Sequence, residues 1–195
     1  MCHIWLLTVL HDPRFFSLLL EFDRDLLRQA QEGRCLHCGE VVHRGDFERK
    51  PRGAPGALPE GFSTRFSLCC SRCRRRLTPP SVRFLGRKVY LGVVVVLATA
   101  LMHGPSPPRV ARLQQALGVS RRTLKRWRLW WRESYGKSRC FRSLRALLRA
   151  PIDATLLPLS LLDAVGARSL WEAMLLVLRL LRPISSATAG SKQAL

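Results

Sequence analysis

Two pairs of cysteines constrain this chain more than any other feature. Cys35-Leu36-His37-Cys38 and Cys70-Ser71-Arg72-Cys73 are C-x2-C pairs with 31 residues between them. Two cysteines three apart on a tight turn can aim both thiolates at one point, and two such turns complete a tetrahedron. Four thiolates suit Zn2+, and a closed four-coordinate site leaves no position for an activated water, so the role is structural. Gly39, just after the first pair, can supply the positive φ such a turn needs. Arg34, Arg72 and Arg74 would offset the −2 charge of a zinc tetrathiolate. Cys69 adjoins Cys70, and either can be the third ligand, although the spacing favours Cys70. His37 and His43 are alternative ligands better read as surface residues, and Cys2 and Cys140 as bystanders. Ordinary buried or redox-active cysteines are the competing explanation. It is weakened because the pairs lie in a segment with few other core residues.

Charge narrows the function. The chain carries 33 Lys+Arg against 13 Asp+Glu, a net charge of +20 over 195 residues. The excess is local: residues 1–43 net −2, 44–104 net +9, 105–150 net +12 and 151–195 net +1. A free-standing enzyme for small neutral metabolites has no need of such a field, whereas a polyanionic partner does. Seven cysteines and a start without a basic n-region argue against a secreted disulfide framework, so a cytoplasmic, nucleoid-associated protein is expected. The longest apolar run, Val89 to Met102, has fourteen residues, short of the ~18–20 that span a bilayer.

The expected elements follow from local signals. Asp12-Pro13 opens a helix to about Gln31, along which Phe16, Leu19, Leu20, Asp23 and Leu27 recur near helical spacing, and Gly33 ends it. Short strands are expected at Val41–His43 and Thr64–Leu68. Lys88–His103 is read as a helix despite four successive valines that favour a strand. A short basic helix covers Cys140–Ala150. Pro158–Val165 and Leu170–Leu181 form a helical hairpin, the second helix opened by Ser169 and Glu172 as a capping box.

Residues 109–132 carry a second motif. Val110, Leu113 and Leu117 share one helical face, Gly118 suits a left-handed turn, Val119 plugs it and Ser120 caps the next helix. There Leu124, Trp127 and Trp131 make an inner stripe, opposite Arg122, Lys125, Arg126 and Leu129. Such a helix can enter a major groove, where arginine reads guanine with two hydrogen bonds. Leu117-Gly118-Val119-Ser120-Arg121-Arg122-Thr123-Leu124-Lys125-Arg126-Trp127 resembles the helix-turn-helix of bacterial regulators and transposases, with Gln114 where many such motifs have alanine. Over residues 33–135 the order of parts resembles bacterial zinc-ribbon/helix-turn-helix proteins associated with transposases. That resemblance implies DNA binding in a mobile-element context.

The expected fold is therefore mainly α with a small zinc ribbon, a three-helix homeodomain-like helix-turn-helix unit and a C-terminal helical hairpin. Its parts are an N-terminal helix (1–33), ribbon (34–87), DNA-binding unit (88–135), C-terminal helices (136–182) and a disordered tail (183–195). The expected function is sequence-specific binding of double-stranded DNA through Arg109, Arg112, Arg121, Arg122, Thr123, Lys125 and Arg126. RNA binding by the ribbon is the alternative. A catalytic transposase is disfavoured, since Asp153, Asp163 and Glu172 are the only acids after Glu133, so no enzyme is expected. Homodimerisation or a transposase partner through the C-terminal helices completes the reading; no membrane partner is expected.

Overall fold

The computed structural model describes residues 9–51, 58–85, 90–101, 107–148 and 150–186. They form a mostly helical chain with three small antiparallel sheets. Helix α1 (Pro13–Glu32) starts where Asp12 Oδ1 accepts the Arg14 N–H at 2.9 Å, and buries Phe15, Phe16, Leu19, Leu20, Asp23 and Leu27. The helix ends at Gly33, which keeps a right-handed φ of −69°, and Arg34 takes a left-handed turn (φ +55°).

The ribbon segment is built from β1 (Val42–Arg44), β2 (Phe47–Glu48), β3 (Thr64–Arg65), β4 (Leu68–Cys70) and β5 (Arg76–Leu77). One sheet has the order β1-β4-β5, and β2 pairs with β3. The strand expected over Thr64–Leu68 is thus two strands serving different sheets. Asp46 sets the break, because its Oδ1 accepts the Ser67 N–H at 2.9 Å while Gly45 N–H bonds the Ser67 carbonyl.

The four valines are helical, as the sequence reading expected, and the strand inside the apolar run lies just before them. β6 (Phe84–Leu85) pairs with β7 (Tyr90–Leu91), and helix α2 (Gly92–Ala100) follows at once. The helix expected over Lys88–His103 is therefore shorter; 86–89 and 102–106 lie outside the described residues. All nine residues of α2 are buried. A helix satisfies its own backbone polar groups, so an all-apolar segment can sit inside the core without sheet partners.

Helices α3 (Pro107–Leu117) and α4 (Arg121–Leu129) flank Gly118, and α2 packs against α4. The chain then widens into a π-helical turn (Trp130–Tyr135), closed by Gly136 N–H on the Trp131 carbonyl at 2.9 Å. A Cβ at Gly136 would lie 3.1 Å from that carbonyl oxygen, so the tight closure favours glycine. Helix α5 (Arg139–Leu147), capped by Ser138, is the short basic helix, three residues shorter at its end than expected.

The C-terminal hairpin is α6 (Leu159–Ala164) and α7 (Leu170–Leu181), with the Ser169 cap formed and Glu172 accepting the Arg168 N–H. The apolar face of α7 meets α2, α6 and α1; Phe15 and Trp171 pack edge to face at 5.3 Å. The first residues of the expected tail, 183–186, are structured. Arg182–Ser186 is a 3-10 turn with Ile184 and Ser185 buried, and 187–195 lie outside the described residues. Among the described residues no helix is long and apolar enough to cross a membrane.

A buried polar junction ties these parts together. Asp23, in phase with the apolar stripe of α1, accepts Arg83 Nε (2.7 Å), the Val82 N–H (2.7 Å) and the Ser81 hydroxyl. Arg83 continues to the carbonyls of Phe62 (2.6 Å) and Thr64 (2.9 Å), and Ser81 N–H donates to Ser185 Oγ (2.7 Å). Phe62, Phe66 and Phe84 place their rings against the guanidinium. Helix α1, the ribbon segment, the β6 approach and the C-terminal turn thus share one charged centre.

Candidate metal centre and basic helix

The four cysteines of the two C-x2-C pairs converge. Their Sγ atoms all lie within 4.8 Å of one another, with Cys35–Cys73 at 3.6 Å and Cys38–Cys70 at 3.4 Å. A tetrahedral ion with bonds of about 2.3 Å to sulfur has S···S edges of about 3.8 Å, so the donor set fits a zinc-sized ion. The ion would close the segment as a four-coordinate structural centre.

Two loops of the same construction make this possible. Cys35 N–H bonds the Glu40 carbonyl (2.9 Å), and Cys70 N–H bonds the Arg75 carbonyl (3.0 Å), each five residues on. The residue following each pair is left-handed: Gly39 at φ +70° and Arg74 at φ +57°. Strand phase decides between Cys69 and Cys70. Cys70 pairs with Val42 and is buried; Cys69 pairs with His43 and turns its Sγ toward the carbonyls of Arg74 (3.6 Å) and Cys70 (3.9 Å). His37 lies outside the cluster, against Arg75 Nη1 at 2.8 Å, and His43 is an exposed residue of β1.

The thiols cannot ionise independently. Backbone N–H groups of Cys73 and Arg72 outweigh burial and bring Cys70 down to about 6. The Arg75 N–H pulls Cys73 the same way, but burial and the other three sulfurs push it up to about 11. Cys35 is lowered by the His37 and Cys38 N–H groups. Cys38 is raised, the Glu40 N–H being outweighed by Cys70, burial and Cys35. A dication would remove this conflict by neutralising thiolates that otherwise repel.

The basic helix is a second candidate site. Gly118 is left-handed (φ +58°), Val119 is buried, and Ser120 Oγ accepts the Thr123 N–H at 3.2 Å. Leu124, Trp127 and Trp131 are fully buried, while Arg121, Arg122, Lys125 and Arg126 are exposed on α4 and Thr123 is half-buried. Arg126 is anchored from a distance the sequence did not signal. Its Nη2 donates to Tyr90 Oη at 2.6 Å, and its guanidinium lies 5.7 Å from the centre of the Tyr90 ring, which itself packs edge to face on Trp127. The side chains of Arg109 and Arg112 lie outside the described residues, although their backbone belongs to α3.

Comparisons with protein-family models, with curated proteins and with solved structures found no match. The functional reading rests on the two sites themselves.

Proposed function

We propose that this chain binds double-stranded DNA sequence-specifically, with α2, α3 and α4 as a three-helix, helix-turn-helix unit and the four-cysteine centre holding structural zinc. The observation that carries the reading is α4. Its inner stripe is locked by two buried tryptophans, and its outer face presents Arg121, Arg122, Lys125 and Arg126 without an acidic residue. A rigid helix with four cations and no carboxylate on its outer face, beside the exposed Leu129, fits a groove between two phosphate backbones. Arg122 and Arg126 lie farthest from the inner stripe and are assigned to base edges. Arg109, Arg112 and Arg121 are assigned to phosphates, with Thr123 and Lys125 completing the contact face. The resemblance to transposase-associated proteins makes a mobile-element end or a regulatory site the natural target, and a second copy or a transposase the natural partner of the C-terminal helices.

The test is selection of bound duplexes from a random pool by the full chain, repeated with Arg122→Ala. A base-reading arginine discriminates by about 1–3 kcal/mol, so the variant should relax one or two base pairs of the selected site. An unchanged preference in both Arg122→Ala and Arg126→Ala would remove α4 as the reading head.

A further inference from the structure

We propose that the second cysteine loop, Arg72 to Arg76, is a separate phosphate-binding face for duplex DNA, one that adds affinity without reading sequence. This rests on the DNA-binding reading above. The first observation is backbone strain. The two cysteine loops share one construction, yet the left-handed position is Gly39 in the first and Arg74 in the second, at φ +57°. Glycine adopts that conformation freely, and arginine does so against steric resistance. Nothing in the fold requires an arginine there, because Arg74 is exposed and, among the described residues, its side chain has no hydrogen-bond or ion-pair partner. A strained residue whose side chain has no such partner inside the protein points to a task beyond offsetting the metal site.

The second observation is surplus charge. Arg72, Arg74, Arg75 and Arg76 are all exposed, as is Arg34 beside the first loop. Arg72 reaches Glu40 only at 4.0 Å, Arg75 lies on His37, and Arg76 donates to the Gly45 carbonyl at 3.3 Å. A filled tetrathiolate carries −2 and Glu40 −1, so five arginines leave a local excess of two positive charges. Offsetting the metal site accounts for part of the cluster and no more. The register also carries the basic surface onto the sheet, because Arg76 stands opposite Cys69 and Cys69 opposite His43, one row crossing all three strands. Exposed guanidinium groups without close carboxylates are the chemistry that holds phosphate oxygens.

Arg74→Gly in the full chain separates this task from stability. Glycine relieves the left-handed strain, so thermal stability should stay level or rise and zinc content remain at one per chain. Affinity for every duplex should fall alike, the selected base preference should persist, and the slope of log K against log[salt] should flatten by about 0.9 for one lost phosphate contact. Arg74→Lys, which keeps the charge, should retain the slope. Adding Arg72→Gln, Arg75→Gln and Arg76→Gln should flatten it by about 3.6 in all. If Arg74→Gly and the fourfold variant leave affinity and slope unchanged while Arg122→Ala still relaxes base preference, the loop is not on the DNA and only this inference fails. A loss confined to structured RNA, with duplex binding intact, overturns it in favour of an RNA surface. No duplex binding by the unaltered chain removes the underlying reading as well.

Discussion

Removing the carboxylate of Asp23 should destabilise this protein strongly without unfolding it. Asp23 and Arg83 are 1% and 0% exposed at the side chain, and their contact is 2.7 Å. In Asp23→Ala the guanidinium stays buried with carbonyl and ring partners but no counter-charge, and the Val82 N–H loses its acceptor. Burial already lowers the Arg83 pKa despite the opposing pull of Asp23, so the pair offsets a real desolvation cost. Breaking a buried pair from one side costs about 3–5 kcal/mol, and an orphaned buried donor adds about 1–3 when nothing relaxes. Some relaxation is certain in a junction of four segments, so we expect a loss of about 4 kcal/mol from a total of about 5–15. For a chain of this length that corresponds to about 10 °C in Tm. Urea denaturation followed by far-ultraviolet circular dichroism gives the number. Arg83→Met should cost a similar amount by stranding the carboxylate. The double variant Asp23→Leu/Arg83→Met should lose clearly less than the sum, with a coupling of about 2 kcal/mol or more. Additive losses, or a loss below about 1 kcal/mol in Asp23→Ala, would refute the reasoning, because neither is compatible with two charges compensating each other in the core.

Cys38→Ser and Cys73→Ser should abolish zinc binding and unfold the ribbon segment while the helices persist, since such sites contribute about 10–16 kcal/mol of apparent folding free energy. Cys69→Ser should keep one zinc per chain, and elemental analysis of the three variants checks both statements. Zinc uptake at pH 7 should release at least two protons and fewer than four. Cys38 and Cys73 are raised and so start protonated, whereas Cys70, at about 6, starts mostly ionised. Titration calorimetry in buffers of different ionisation enthalpy counts them, and zinc affinity should weaken as pH falls because protons compete for the same sulfurs. Tyr90→Phe keeps the ring contact with Trp127 but removes the acceptor for Arg126. It should relax the same base pair as Arg126→Ala, and a selected preference identical to that of the unaltered chain would show that the Arg126 rotamer is set elsewhere.

Signals that act within a few residues were readable in advance. The caps at Asp12, Ser120 and Ser169, the left-handed Gly118, the Leu124/Trp127/Trp131 stripe and the two C-x2-C pairs all depend on spacings of one helical or loop turn. Periodicity placed Asp23 in phase with Phe16, Leu20 and Leu27, on the stripe that α1 buries. It could not name the partner, because Arg83 is 60 residues away and nothing local to either residue records the other. The same limit applies to Tyr90 and Arg126, 36 residues apart. The C-x2-C spacing favoured Cys70 over Cys69, and the pairing of β4 with β1 supplies the structural reason, since neighbouring strand residues face opposite ways and the register turns Cys70 inward. Local sequence determined where the chain turns, caps and presents its cations. Tertiary structure alone decided which buried charge is compensated and which arginine is anchored, because those outcomes depend on desolvation and contact between segments that meet only after folding.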